Sequence, residues 1–288
     1  MDRTRKIQIM GIVNITDNSY FADSRCLAPD GRPDIEATLT RVRTMVSEGA
    51  DIIDIGACST RPGAEAVGAE VEWQRLEPVL ESVRKGFPHL RISIDTYWAS
   101  VVEKVFDKFG DFIVNDISAG EDDPQMLPLV GRLGLTYVAM HKRGNPLTMQ
   151  SLTDYPDSDI EGASPVTAAV RKYFIEFADK AEKNGIHDWI LDPGFGFAKT
   201  VEQNWQLMDE MAMVTQTGRP TLVGVSRKSM VYRLFGITPE EVLPATQALH
   251  LAALERGADI LRVHDVAQAV QTVQIYRRIG IGDLTHND

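Results

Sequence analysis

The sequence predicts an α/β protein folded as a single (β/α)8 barrel, and three observations lead to this class. Short apolar runs alternate with longer amphipathic stretches along all 288 residues. Eight such pairs occur, so each strand–helix unit averages about 36 residues. Polar residues follow the apolar runs, as expected where parallel strands end at a common mouth. We therefore expect one domain over residues 1–288.

The periodicity of apolar residues predicts the strands and helices in order along the chain. Apolar runs of strand length occur at residues 7–13, 51–55, 91–94, 112–114, 135–140, 189–191, 221–225 and 260–263. Helical periodicity follows at residues 36–48, 70–85, 99–108, 123–132, 165–184, 202–214, 239–256 and 266–278. In the first helix Leu39, Val42 and Val46 share one face, and Gly49 is a stop signal. A doubly wound open sheet is the alternative, but no G-x-G-x-x-G follows the first strand.

Composition and charge narrow the function classes. Hydrophobic residues make up 43% and charged residues 25% of the chain, which argues against disorder. No window approaches 18 consecutive apolar residues, so we expect no membrane span. The net charge of −11, without a basic stripe, argues against a nucleic-acid partner. Cys26 and Cys58 are too few for a disulfide framework, and without a recognisable secretion signal the expected location is the cytoplasm.

Polar residues stand at the carboxyl ends of the predicted strands. One such residue alone is normally a turn former or a helix cap. At eight strand ends in register they predict a site at the barrel mouth. These residues are Asn14, Asp54, Asp95, Asn115, Asp116, His141, Asp192, Ser226, Arg227, Lys228, Arg262, His264 and Asp265.

Asp95, Asn115 and Asp192 end three different strands and together offer several acceptors and one amide. That set suits a flat heterocycle with several N–H groups, such as a 2-amino-4-oxopyrimidine. The alternative is a divalent metal site, which stands second because no H-x-H or closely spaced acidic pair accompanies these residues.

Three further segments favour binding of anions or carbonyl groups. Residues 54–63 contain two glycines, two hydroxyl side chains and Arg61, a composition that fits either a phosphate loop or an ordinary surface loop. Lys228 follows the seventh strand, where it could donate to a substrate carbonyl or carboxylate, or form a Schiff base. Alternation puts Arg262 and His264 on one side of the eighth strand end, which favours anion binding beside the last helix. We expect Asp265 to cap that helix.

With these motifs in order, the chain strongly resembles the dihydropteroate synthases of the pterin-binding barrel family over roughly residues 9–280. Each motif is weak alone, and their succession is specific. The motifs are residues 10–14 (MGIVN), 59–63 (STRPG), 93–96 (SIDT), 114–118 (VNDIS), 140–141 (MH), 192–196 (DPGFG), 226–229 (SRKS) and 262–265 (RVHD).

The resemblance implies an enzyme of folate biosynthesis and a target of sulfonamides. The family condenses 4-aminobenzoate with 6-hydroxymethyl-7,8-dihydropterin diphosphate, giving 7,8-dihydropteroate and diphosphate. By residue, it implies that the pterin is held by Asp95, Asn115, Asp192 and Lys228. The residues implied to be catalytic are Lys228, Asp95, Asp192 and Arg262.

The resemblance also implies the remaining contacts. The diphosphate would be bound by Arg61, Arg262 and His264, and the 4-aminobenzoate by Thr60, Pro62 and Ser229. Asn14 would ligate Mg²⁺ on the diphosphate. Family precedent and the apolar last two helices imply a homodimer.

The sequence departs from the family pattern in two places. Asp17 and Asn18 stand where the family has proline and aspartate, and the double glycine that follows is missing. Cys58 stands where a glutamate commonly precedes the STRPG segment. The departures concern details of the first two loops.

Two alternatives differ in class. A pterin-dependent methyltransferase would keep the Asp95, Asn115 and Asp192 array, but it needs neither Lys228 nor a diphosphate site. A non-catalytic pterin-binding paralogue would keep the pocket and lack turnover.

Overall fold

The computed structural model describes residues 5–16, 26–28, 31–58, 67–145, 147–157 and 160–279. Its strands are β1 (Gln8–Asn14), β2 (Ile52–Gly56), β3 (Arg91–Asp95), β4 (Ile113–Asp116), β5 (Thr136–Met140), β6 (Trp189–Asp192), β7 (Leu222–Val223) and β8 (Ile260–Val263). Its α-helices are α1 (Ile35–Glu48), α2 (Ala69–Gly86), α3 (Ala99–Phe109), α4 (Met126–Leu133), α5 (Pro165–Lys183), α6 (Val201–Asp209), α7 (Ala212–Thr215), α8 (Ser229–Phe235), α9 (Leu243–Glu255) and α10 (Val266–Ile279). Among the helices of these ranges, none combines the length and the hydropathy that a membrane span requires.

The strands form one parallel sheet that closes on itself. Its order is β6-β5-β4-β3-β2-β1-β8-β7. An isolated parallel bridge between Leu191 and Thr221 joins the two ends of this order. Beside it, the backbone N–H of Leu191 donates to the carbonyl oxygen of Pro220 at 3.0 Å. The predicted (β/α)8 barrel is therefore confirmed, and the open sheet is wrong.

An apolar layer fills the inside of the barrel. Seven strands each contribute one buried side chain to it: Met10, Ile52, Ile113, Val138, Ile190, Leu222 and Ile260. The alternate side chains of the same strands, such as Ile53 and Leu261, belong to the larger cluster between sheet and helices. Because this layer blocks the barrel, a site can open only at the strand ends beyond it.

The predicted helix at residues 202–214 is wrong as a single element. The chain forms α6 and α7, separated at Glu210 and Met211. The Glu210 carboxylate accepts hydrogen bonds from the backbone N–H of Ser164 at 2.8 Å and from its hydroxyl at 2.7 Å. These contacts with the start of α5 hold a turn that local periodicity does not reveal.

The segment between β7 and α9 also differs from the prediction. Helix α8 was not predicted, because its seven residues are too few for a clear period. Residues 239–242 were predicted as helical, but α9 begins at Leu243. The carbonyl oxygens of Pro239 and Glu240 instead accept hydrogen bonds from the Arg227 side chain at 2.7 and 3.1 Å.

Gly131 should be intolerant of any side chain, although it lies inside a helix. A Cβ there would lie 1.7 Å from the backbone oxygen of Asn184, between α5 and β6. Alanine normally improves a helix over glycine by about 1 kcal/mol. Here we expect Gly131→Ala to lower the free energy of unfolding by roughly 2 kcal/mol or more, because backbone must move.

The matched control is Gly86→Ala at the end of α2, where an added Cβ meets nothing within 4 Å. That variant should be neutral or slightly more stable in urea denaturation. Equal midpoints for Gly131→Ala and the parent would contradict the prediction.

Candidate functional site

Strand geometry gathers the polar side chains at one mouth. Successive side chains of a strand point to opposite faces, so the residue two positions beyond an interior apolar residue also points inward. Four strands carry Asp54, Asn115, Asp192 and Arg262 at that position. Strand β3, in register between β2 and β4, adds Asp95 opposite Gly56 and Asn115. The structure therefore brings together residues from β2, β3, β4, β6 and β8.

Arg262 lies at the centre of this group. Its Nε donates to Oδ2 of Asp54 at 2.7 Å, and its Nη2 donates to Oδ2 of Asp95 at 2.8 Å. Burial disfavours the charge of Arg262, but the two carboxylates outweigh it and raise its pKa. The guanidinium thus remains a cation between two acids, a contact that was not predicted.

Asp95 and Asp192 keep acceptor capacity in the mouth. Oδ1 of Asp95 is buried and has no hydrogen-bond partner among the described residues. Burial raises the pKa of Asp95 to about 7, although Arg262 opposes the shift. Burial also raises the pKa of Asp192, whose Oδ1 accepts the backbone N–H of Gly194 at 2.8 Å. Buried carboxyls with open acceptors suit a ligand that brings N–H donors.

Lys228 follows β7 and lies close enough to Asp192 for the charge of that carboxyl to act on it. Its Nζ donates to the carbonyl oxygen of Phe195 and lies 4.9 Å from the centroid of the Phe197 ring. Burial lowers the pKa of Lys228 to about 8, and the charge of Asp192 opposes that shift. The predicted mouth-facing lysine is thus beside the carboxylates, ready to donate to a polar ligand atom.

Among the remaining predicted residues, the structure describes His264, Ser229 and Asn14. The backbone N–H of His264 donates to the hydroxyl of Ser226 at 3.2 Å, which ties the end of β8 to the end of β7. Ser229 is the first residue of α8, and Asn14 is the half-buried last residue of β1. Thr60, Arg61 and Pro62 lie outside the described residues, as do Asp17 and Asn18.

An apolar wall that was not predicted lies beside the polar group. Cys58, Tyr97, Ile117 and Met140 form a buried cluster, against which Phe197 packs. Met140 follows the interior Val138 by two positions, so alternation could have indicated it. A ring in the mouth would therefore meet an apolar face as well as edge acceptors.

Asp54 was predicted to lie at the mouth, but no role was predicted for it. It follows the interior Ile52 by two positions. Both of its oxygens lie 3.2 Å from Nδ2 of Asn115. This bond fixes the Asn115 amide with its oxygen as the remaining acceptor.

A buried lysine–histidine pair supports the glycine segment after β6. Nζ of Lys199 lies 3.0 Å from Nδ1 of His141 and donates to the carbonyl oxygens of Gly194 and Phe197 at 2.9 and 3.1 Å. Burial lowers the pKa of Lys199 to about 7 and holds the pKa of His141 well below its usual value. The contact between Lys199 and His141 therefore fastens this segment to the end of β5.

Glu72 of α2 is a buried acid near Arg75. Both carboxyl oxygens are buried, and the Thr96 side chain and the charge of Arg75 oppose the effect of that burial only in part. Burial raises the pKa of Glu72 to about 8. Its carboxyl is thus held protonated at neutral pH.

The chain is similar to known enzymes over nearly all of its length. Residues 10–264 match the family described as pterin binding enzymes. The dihydropteroate synthases of Synechocystis sp. and Escherichia coli are each 37% identical to it, over 277 and 269 residues. These alignments cover 95% and 93% of this chain and 90% and 89% of the relatives.

Solved structures agree with this similarity. The Yersinia pestis dihydropteroate synthase, in a sulfonamide drug complex, superposes with a TM-score of 0.86 at 32% identity. The Xanthomonas albilineans dihydropteroate synthase with 4-aminobenzoic acid gives 0.81 at 34% identity. The superpositions cover 97% and 96% of this chain and 96% and 94% of those chains.

Glu72 should make stability fall as the pH rises. The folded carboxyl keeps its proton to about pH 8, whereas its ordinary pKa is 4.5. Between these values the unfolded chain binds fewer protons, so the free energy of unfolding decreases with pH. We expect Glu72→Gln to gain stability over the parent progressively from pH 5 to pH 8.

Urea denaturation at several pH values measures this effect, with Glu255→Gln on the exposed end of α9 as the control. A gain for Glu72→Gln that is the same at every pH would contradict the assignment of a proton to Glu72.

Proposed function

The chain belongs to the pterin-binding enzyme family, and we propose that it acts as a dihydropteroate synthase, a transferase of folate synthesis. The bond from the pterin methylene carbon to diphosphate breaks, and a carbon–nitrogen bond forms with the amine of 4-aminobenzoate. Diphosphate leaves with the bonding electron pair, and the amine releases one proton. The observation that carries this assignment is the convergence of Asp95, Asn115, Asp192, Lys228 and Arg262 in one mouth.

The pterin ring suits the acceptors and the donor of that mouth. Ring N–H groups would face Oδ1 of Asp95, the carboxyl of Asp192 and the amide oxygen of Asn115, whose nitrogen is engaged by Asp54. Lys228 would donate to the ring carbonyl. Ligand N–H donors favour the ionised form of the carboxyls that accept from them.

The same acids support the departure of diphosphate. Its loss leaves positive charge delocalised over the pterin and its methylene carbon. The fixed carboxylates of Asp95 and Asp192 stabilise that charge without reorganising, because the barrel already holds them in place. The amine then attacks, so catalysis consists mainly of positioning and electrostatics, without a strong base.

The leaving diphosphate requires cations and N–H donors. We assign it to Arg262 and His264, close to the N-terminus of α10, where N–H groups attract anions. We also assign it to Arg61, which lies outside the described residues. For 4-aminobenzoate we retain Thr60, Pro62 and Ser229 as the proposed contacts. Among these three, Ser229 lies in the described part of the chain.

Asn14 fits a magnesium ion that arrives with the diphosphate. Its amide can provide one neutral oxygen, and the described residues contain no group of three or more His, Cys, Asp or Glu side chains that could hold a metal. Mg²⁺ commonly keeps several waters and relies on substrate phosphates for its other ligands. When bound, the ion would neutralise charge on the leaving group.

We further propose a homodimer formed through the last two helices. Ile275 and Ile279 of α10 are 54% and 55% exposed, and Leu234 and Phe235 at the end of α8, the helix before α9, are exposed as well. Apolar side chains of this size favour burial against a second copy. Light scattering of the purified protein measures its mass and so tests the proposed dimer. The cytoplasmic location stays a prediction.

Lys228→Ala should remove most activity without unfolding the protein. We expect kcat/KM for the pterin diphosphate to fall by roughly 100-fold, because a mouth-facing donor is lost. The control is Lys172→Ala, whose side chain is 76% exposed and should be silent. Equal kcat/KM values for Lys228→Ala and the parent would contradict the proposal that Lys228 donates to the pterin.

The assay is a single turnover with the pterin diphosphate, 4-aminobenzoate and Mg²⁺. Formation of dihydropteroate by the parent separates a synthase from a non-catalytic paralogue and from a methyltransferase. Pterin binding without product would contradict the proposed function.

Asn14→Ala should increase the Mg²⁺ concentration that supports half-maximal activity, since one protein ligand is removed. Adding a chelator should stop turnover of the parent and leave its melting temperature unchanged, because the metal would be carried by substrate. An identical Mg²⁺ dependence for Asn14→Ala and the parent would count against Asn14 as a ligand.

A further inference from the structure

Arg227 connects the end of β7 to the start of α10. Its Nε and Nη2 each donate to one oxygen of Asp265 at 2.8 Å. Its Nη1 donates to the carbonyl oxygens of Pro239 and Glu240. The side chain is only 5% exposed. Asp265, expected to be a helix cap, thus uses both carboxylate oxygens to hold this arginine.

The backbone of Arg227 has an unusual conformation. Its φ is 55°, in the left-handed region that residues with a Cβ rarely adopt. Such a conformation persists only where surrounding contacts fix it. The turn determines the direction of the next residue, Lys228, which is the N-cap of α8.

A second contact runs parallel to the first. Ser226 accepts the backbone N–H of His264, and the neighbouring pair, Arg227 and Asp265, forms the two-point ion pair. The segment that carries Lys228 and the segment that follows Arg262 are therefore joined at two successive residues.

We propose that Arg227 is a positioning residue, which holds Lys228 in the mouth through its bridge to Asp265. The proposal rests on the proposed function for the role of Lys228 toward the pterin. Arg227 itself acts through its neighbour, since its side chain is buried among protein acceptors.

A double-mutant cycle tests this dependence. The probe is unphosphorylated 6-hydroxymethyl-7,8-dihydropterin, whose dissociation constant is measured by calorimetry. Arg227→Ala and Asp265→Asn should each weaken binding by roughly 10- to 100-fold, the order of loss when a binding group is displaced. In a Lys228→Ala background, neither change should weaken it further by more than about twofold.

Two outcomes would overturn the proposal. One is an additive loss in the Lys228→Ala background, which would show a general structural role. The other is recovery of binding in Arg227→Gly, which relieves the left-handed backbone and lacks the side chain. Asp265→Asn nearly preserves shape, so it serves if Arg227→Ala does not fold. Arg132→Ala, which breaks an exposed pair with Glu103, is the matched control.

Failure here and failure of the proposed function give different results. If the parent binds the pterin but makes no dihydropteroate, the proposed function fails while the binding cycle still decides the role of Arg227. If the parent turns over and Arg227→Ala binds the pterin as tightly as the parent, the positioning role alone is wrong.

Discussion

The site depends on the guanidinium of Arg262 lying between the carboxylates of Asp54 and Asp95. Several acids face one another inside a closed barrel, where burial makes each additional negative charge costly. A permanent cation at their centre makes this arrangement tenable, and arginine suits it because its planar group bonds two acids at once. Asp54 in turn orients Asn115. The positions of several residues thus follow from one ion pair network.

The bonds of Arg262 to Asp54 and Asp95 limit what Arg262 can contribute to ligand binding. A guanidinium already bonded to two carboxylates has less charge to offer a diphosphate, so an anion there needs other groups. His264 lies at the end of β8, and the N-terminus of α10 begins two residues later. Under the proposed function, Arg262 both organises the acids and receives the anion.

Local sequence patterns predicted the barrel and much of its mouth, because both follow from alternation along strands. The same rule placed Asp54 at the mouth, and applied to β5 it would also have indicated Met140. The contacts between Lys199 and His141, and between Arg227 and Asp265, join residues 58 and 38 positions apart. No local period reports such pairs. The break between α6 and α7 has the same origin, since Glu210 bonds to Ser164 far away in the chain.

The weak pairing of β6 with β7, where the barrel closes, links ligand binding to the stability of the barrel. β6 and β7 meet at the isolated bridge between Leu191 and Thr221, whereas the other neighbouring strands pair over two to five residues. Asp192 ends β6, and Lys228 lies shortly after β7. A molecule bound by both side chains would connect β6 to β7 at the point where these strands pair least. A ligand that binds the closed barrel more tightly than an opened one also stabilises the closed barrel, by linkage. Substrate affinity and the pairing of β6 with β7 are therefore coupled.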